Sequence, residues 1–252
     1  MAGHRSILAA TLAALCLGGC ATVVPASWKA VPDGEDMADA YPGFASHAGI
    51  EGWASLVCMS GVDGRLSDCR VEQVAPTGLG FDAAALKLTD RFESSPRTRN
   101  GVPTASEVAF RVNFALPPVD TVQSWEGAEP SPEALALARE IAPRLTPGLR
   151  QGPRAISLDG LDADRVEAVQ AMIDGIEREV RPEAVEAIAT AWARTTSPEV
   201  LRGMAQGQRP ARPSLSDEQL ERAGDKAKAL SLRVNERLNA VYCAAYDCSD
   251  AL

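Results

Sequence analysis

Residues 53–74 read WASLVCMSGVDGRLSDCRVEQV, and this stretch predicts a β-hairpin. Two runs of alternating apolar residues flank Asp63-Gly64, a pair that supplies the positive φ of a tight type I′ turn. If those two residues form the loop, counting outward places Cys58 opposite Cys69. Their Cα atoms would then be about 5 Å apart, which suits a disulfide. A longer, bulged loop would shift this register by one residue.

Two further elements complete a small α+β unit. Apolar residues recur on one helical face from Phe81 to Phe92, and Pro96 ends that helix. Residues 106–114 then alternate between apolar and polar or small side chains, which is typical of a half-buried strand. The sequence therefore predicts a β-β-α-β domain over residues 41–118, with a three-stranded antiparallel sheet and one helix.

The order and spacing of several short motifs in this domain resemble the C-terminal domain of the TonB family, a periplasmic module that contacts outer-membrane receptors. The matching motifs are Ile50-Glu51-Gly52, Asp63-Gly64-Arg65, Phe81-Asp82-Ala83-Ala84-Ala85-Leu86, Asn100-Gly101-Val102-Pro103 and the strand from Phe110 to Phe114. The resemblance implies that an extended segment of an envelope protein, such as an outer-membrane receptor, pairs with the free edge of the sheet.

The edge strand that the resemblance identifies is residues 106–114. Backbone groups would supply the affinity, and the outward side chains Glu107, Ala109, Arg111 and Asn113 would supply some specificity. The alternative is that Glu107 and Arg111 only protect a free edge against aggregation.

Residues 1–19 predict a signal peptide, with a basic opening and an apolar run too short to remain as a membrane span. Leu17-Gly18-Gly19-Cys20 resembles the bacterial lipoprotein lipobox, and this resemblance implies lipid attachment at Cys20. Several acyl chains would hold the protein stably on a membrane. The residue after the cysteine, Ala21, favours the outer membrane over the inner by the enterobacterial sorting rule. The alternative is an ordinary secretory signal with a chance cysteine.

Residues 20–40 predict a flexible tether, because they contain prolines and four acidic residues with little apolar periodicity. A TonB protein itself has an inner-membrane helix that couples it to a motor and a long proline-rich segment, and neither pattern occurs in this sequence. The resemblance therefore implies the binding mode of the family, in a role accessory to TonB-dependent transport, and not energy transduction.

The formal net charge of −9 argues against nucleic-acid partners and against charge-driven binding to anionic lipid. Beyond Cys20, four cysteines remain, and an even number in an exported protein indicates disulfides. Three connectivities are possible, and the spacing favours Cys58 with Cys69 and Cys243 with Cys248. The second pair can be bridged only if its helix ends near Ala244.

Residues 119–130 predict a linker, and residues 131–252 predict an all-α domain. Helix starts are expected at Ser131, Asp162, Pro182 and Ser197, and Ser216 with Gln219 forms a capping box that opens the longest helix. This half faintly resembles a helical family of unknown function in bacterial exported proteins, through residues 191–193 and 196–201. That resemblance implies no activity.

No catalytic motif accompanies His47, the only plausible neutral-pH base after the signal peptide. The cysteine spacings do not suit a metal site. We therefore expect no enzyme, cofactor, metal or small-molecule substrate. The favoured hypothesis is an envelope lipoprotein that binds a peptide segment through its TonB-like domain. The alternative is a structural or assembly lipoprotein whose helical domain makes the functional contact.

Overall fold

The computed structural model describes residues 21–118, 121–149, 151, 155–209 and 215–250. The predicted signal peptide and Cys20 lie outside the described residues. None of the described helices combines the length and apolar character needed to cross a membrane.

The first half of the chain is α+β, as predicted. Its elements are β1 Val23–Val24, β2 Ser27–Ala30, α1 Gly34–Ala40, α2 Gly43–Ala48, β3 Gly52–Ser60, β4 Leu66–Ala75, α3 Phe81–Leu88, a 3-10 turn at Thr89–Arg91, β5 Glu93–Ser95, β6 Thr98–Arg99, β7 Val102–Pro103 and β8 Ser106–Phe114. The main sheet has the antiparallel order β4-β3-β8, with α3 packed against β3 and β4.

The β3–β4 hairpin has a five-residue loop, so the two-residue turn predicted from Asp63-Gly64 is wrong. Ser60 pairs with Leu66, and the Gly61 amide donates to the Arg65 carbonyl over 2.9 Å. The predicted disulfide between Cys58 and Cys69 is nevertheless confirmed, with Cα atoms 4.1 Å apart. A bulge that includes Asp68, at φ 50°, shifts the register back by one residue and brings the two cysteines face to face.

Residues 22–40 are folded onto the domain, which corrects the expectation of a flexible tether. Strand β1 pairs with β6, and β2 pairs with β5. Helix α1 has a capping box, in which the Asp33 side chain accepts from two backbone amides, and it packs against α3. Sequence reasoning missed this because the pairing partners, residues 93–99, resembled a simple connection after α3.

Aromatic side chains dominate the core of the first half. The rings of Tyr41, Phe81 and Phe114 lie within 6 Å of one another, with centroid distances of 5.9, 5.7 and 5.3 Å. The Tyr41 hydroxyl donates to the Ile50 carbonyl over 2.9 Å and lies 3.3 Å from the Phe114 carbonyl. It therefore fixes the start of β3 to the end of β8.

The second half is all-α, as predicted. Its helices are α4 Pro132–Leu145, α5 Val166–Thr195, α6 Pro198–Ala205, α7 Asp217–Ala223 and α8 Asp225–Tyr246. Pro182 does not start a helix but lies inside α5, which packs against both α4 and α8; this packing holds the helix together where proline removes a backbone hydrogen bond. The helix predicted to be the longest is divided at Gly224 into α7 and α8. The Gly224 amide donates hydrogen bonds to the Leu220 and Glu221 carbonyls at the end of α7.

The two halves share one hydrophobic core. The ring of Phe44 in α2 lies 5.1 Å from that of Tyr242 in α8, and both side chains are fully buried. The loop before α5 also packs on the first half. There, a Cβ atom at Gly80 would approach the Gly160 carbonyl oxygen to 2.7 Å. The described part of the predicted linker is attached to the start of α8, because the Trp125 amide donates to the Asp225 carboxylate over 3.0 Å.

A candidate peptide-binding edge

Strand β8 has a partner on one side only. Its nine residues pair in continuous register with β3, from Ser60 opposite Ser106 to Gly52 opposite Phe114. On the other side, no strand of the described residues pairs with it. Alternate residues of such a border strand direct their N–H and C=O groups away from the sheet, where they can pair with an added chain.

The four predicted side chains all lie on the exposed face of β8, opposite the face that packs into the core. Glu107 forms an ion pair with Arg70 of β4, with a distance of 3.2 Å between Nη1 and Oε1. The Arg111 guanidinium lies 3.8 Å from the ring centroid of Trp53. Ala109 and Asn113 are exposed beside them.

Arg70 and Trp53 are therefore part of this face, and sequence reasoning did not assign them to it. Trp53 could have been found from the register, since it stands opposite Asn113. Arg70 lies two strands away from Glu107, across β3, so the pairing of all three strands was needed to bring the two charges together. An exposed pair of this kind contributes little to stability, but it fixes where the charges sit.

A groove of about 450 Å³ lies beside the first half of β8. The N-terminal segment forms its other wall, and none of the lining residues belongs to β3, so the groove lies on the unpaired side of the strand. The indole of Trp28 anchors this wall, with its centroid 5.0 Å from Phe92 and 4.9 Å from Phe110. The main lining residues are Ser27, Trp28, Arg97, Glu107, Val108 and Ala109.

The C-terminal segment contacts the main sheet near the start of β3. A disulfide joins Cys243 to Cys248, with Cα atoms 5.0 Å apart. Helix α8 ends at Tyr246, two residues later than expected, and Asp247 turns the chain at φ 50°. Hydrogen bonds from Ser249 lower the pKa of the Asp247 carboxyl. The Asp250 carbonyl then accepts from the Trp53 indole over 3.0 Å, on the exposed face of the sheet.

Among the described residues, no strand, hydrogen bond or ion pair of the second half joins β8. Asn239 of α8 donates to the Gly49 carbonyl over 3.1 Å, and Arg165 donates to the Thr77 carbonyl over 2.7 Å. These groups lie at α2 and at the loop before α3. With the Trp53–Asp250 contact, they place the hydrogen bonds of the second half at the end of α2, at the loop before α3 and at the start of β3 on the exposed face.

The remaining chemical candidate, His47, lies in α2 with its Nδ1 atom 2.9 Å from the Gly43 carbonyl oxygen. This contact uses one ring nitrogen within its own helix. Among the residues that the structure describes, no group of three or more histidine, cysteine or acidic side chains could hold a metal ion.

The first half is a small α+β module in which β8 is a border strand of the main sheet. Residues 37–116 match the family model described as Gram-negative bacterial TonB protein C-terminal, which confirms the resemblance seen in the sequence. The match begins in α1, ends two residues after β8 and covers about a third of the chain. It identifies a TonB-like domain over these residues, of a kind found in the Gram-negative envelope, and it points to no enzyme family. No curated protein matches the chain at a significant level.

Proposed function

We propose that this protein is a lipid-anchored envelope protein that binds an extended segment of another envelope protein by adding it as a strand to β8. The partner would be a protein such as an outer-membrane receptor, and the role would be accessory to TonB-dependent transport. The observation that carries the proposal is the continuous nine-residue strand β8, paired on one side only, within a TonB-like domain.

The backbone of β8 would supply most of the affinity. About four or five of its residues direct both an N–H and a C=O group outward, and each hydrogen bond contributes on the order of 1 kcal/mol net. The ordering of a flexible segment offsets part of this gain. We therefore expect an affinity on the order of micromolar, which suits a reversible contact.

The side chains along the edge would select among segments. Glu107 and Arg111 offer one negative and one positive charge on the same face, each already held by a neighbour. The groove beside residues 106–109 adds room for a side chain of the incoming strand between Trp28 and β8. A segment with alternating side chains would place every second residue on this face.

The lipid would be attached at Cys20, with the protein facing the periplasm and the outer membrane favoured. The proposal does not include energy coupling.

Photocrosslinking in intact cells tests this function on the full chain. A photoreactive amino acid at position 109 probes the β8 border, and the matched control is position 73, because Gln73 is exposed on β4 at the opposite border. We expect a discrete adduct with an envelope protein from position 109 and none from position 73. If neither position gave an adduct, or both gave one equally, β8 would be ruled out as the binding strand.

The alternative, that the helical half makes the functional contact, has one feature in its favour. A largely apolar cleft of about 540 Å³ lies between α5, α8 and the loop after α4, with His47 and Asn235 among its polar lining residues. Because the two halves share a core, they should not be separated to compare the hypotheses. A photoreactive group in place of Ser231, another lining residue of this cleft, tests the alternative in the intact chain.

A further inference from the structure

Exposed apolar side chains are concentrated at one end of the first half. Among the described residues, nine large hydrophobic side chains are exposed, and six of them lie at this end. The six are Val23, Val24, Trp28, Val31, Val62 and Val102, with exposed fractions from 40% to 62%. Singly exposed apolar residues are common, but a cluster of this kind marks an interaction surface.

Backbone pairing brings these residues together on one scaffold, residues 93–103. Val23 pairs with Arg99, which in turn pairs with Val102 on its other side. Trp28 pairs with Ser94. The Ser94 amide also donates to the Gly64 carbonyl over 2.8 Å, and this hydrogen bond attaches the hairpin loop that contains Val62. We call the surface formed by residues 21–31, 61–65 and 91–104 the valine end.

The valine end is basic, although the protein as a whole is acidic. Its own residues comprise five cations and two acids, a formal charge of +3 in a chain of −9. Lys29, Arg65 and Arg91 form ion pairs with Glu93, Asp63 and Asp36, respectively, so the positive charge without a described ion-pair partner is that of Arg97 and Arg99. Exposed valines beside arginines suit the boundary between lipid headgroups and acyl chains. The overall negative charge argues against anionic lipid, but Arg99 lies between Val23 and Val102 in the small sheet, so this end presents positive charge beside its exposed valines.

The chain is fixed to the valine end almost as soon as it leaves Cys20. The Thr22 amide donates to the Asn100 side chain over 3.0 Å, and the Asn100 amide donates back to the Thr22 carbonyl over 2.8 Å. Only Ala21 separates Thr22 from Cys20. An extended residue spans at most about 3.6 Å, so a lipid attached at Cys20 would be tethered close to Thr22.

We propose that the valine end rests on the headgroups of an anionic membrane and orients the whole protein on it. This inference depends on the proposed lipid attachment at Cys20, because the short spacing then leaves the valine end no room to stand away from the membrane. Strand β8 starts at this end, with Ser60 opposite Ser106, and runs away from it. The groove beside residues 106–109 therefore opens near the membrane, where a segment of a membrane-embedded partner emerges.

The test uses the full lipidated chain in vesicles of phosphatidylethanolamine and phosphatidylglycerol. An environment-sensitive fluorophore is attached at Val102→Cys and, as a control, at Val200→Cys, an exposed valine of α6 in the second half. We expect the label at position 102 to shift to the blue and to be quenched severalfold more strongly by brominated lipid than the label at position 200. Equal, weak quenching of both labels on floating vesicles would overturn the inference.

A charge variant separates membrane contact from association between copies. Arg97→Glu with Arg99→Glu should abolish the quenching at position 102 while the protein still floats with the vesicles. The same charge change on α8, Arg233→Glu with Arg237→Glu, should leave it intact. A blue shift at position 102 without quenching by lipid would mean that a second copy covers the valine end, and it would overturn the inference.

Failure of the anchor is distinguishable from failure of the inference. A mature protein without acyl chains on Cys20, seen by mass spectrometry, would not float, and the inference would fall together with the anchor. An acylated protein that floats with a water-exposed label at position 102 would refute the orientation alone.

Discussion

The shared core of the two halves predicts that Phe44→Ala destabilises the whole protein and not only the first half. Phe44 is fully buried, and its ring packs against Tyr242 of α8. A buried aromatic side chain covers roughly 150–200 Å², which corresponds to about 4–5 kcal/mol at 25 cal/mol per Å². Alanine retains a small part of this burial, so the expected loss in the free energy of unfolding is about 3–5 kcal/mol.

Chemical denaturation followed by two signals measures this effect. Far-UV circular dichroism reports mainly on the helices of the second half. The susceptibility of the Cys58–Cys69 bridge to reduction and alkylation reports on the opening of the sheet. In the wild-type protein both signals should change in one transition, and Phe44→Ala should shift both by the same amount. Two separate transitions, or a shift of the sheet signal alone, would refute the shared core. Leu201→Ala is the control for a large cavity elsewhere, because Leu201 is equally buried but lies in a separate hydrophobic cluster formed by α4, α5 and α6.

Three further predictions follow from single contacts. Replacing Cys58 with alanine should lower the free energy of unfolding by at most about 2–4 kcal/mol, since the bridge closes only a short loop and shorter loops give less stabilisation; an unchanged melting temperature would contradict a stabilising bridge. Burial, and to a lesser extent the charge of Glu51, raises the pKa of the Tyr41 hydroxyl in the folded protein. The neutral hydroxyl therefore stabilises the fold fully below the unfolded pKa of about 10, and this stabilisation is lost as the pH rises through the folded pKa. Tyr41→Phe should therefore be less stable than wild type near pH 7, with a gap that narrows above about pH 10 in urea titrations; a gap that widens there would contradict the shift. Trp53→Phe removes the indole donor to Asp250 and should increase the amide exchange rates of residues 249 and 250 with little change in overall stability; unchanged rates would mean that the indole does not hold this segment.

Local signals in the sequence predicted the main elements well. The alternation in residues 53–74 and 106–114 identified the strands, and the apolar face from Phe81 identified α3, because both patterns follow directly from burial on one side. The Cys58–Cys69 bridge was predicted correctly although the loop length was not. The bulge that includes Asp68 restores the register, and a single sequence carries no signal for an irregularity that depends on two opposed strands.

Tertiary packing decided what local signals could not. Pro182 has the local character of a helix start, yet α5 continues through it because α4 and α8 hold the helix on two sides. The segment around Trp28 has the composition of a tether, and only its partners in residues 93–99 make it a strand. The candidate site was predicted in the same uneven way. The four exposed residues of β8 followed from alternation, whereas the groove beside them depends on the folding of the N-terminal segment.

Amide hydrogen exchange by NMR tests strand addition to β8 most directly. The probe is a synthetic peptide with the sequence of the segment crosslinked from position 109, added to the full chain. We predict that alternate amides between residues 106 and 114, those that exchange fast in the free protein, become protected, while the amides of β4 do not change. Protection confined to β4 or to the helices, or an unchanged pattern in β8 with the peptide bound, would contradict strand addition at this edge.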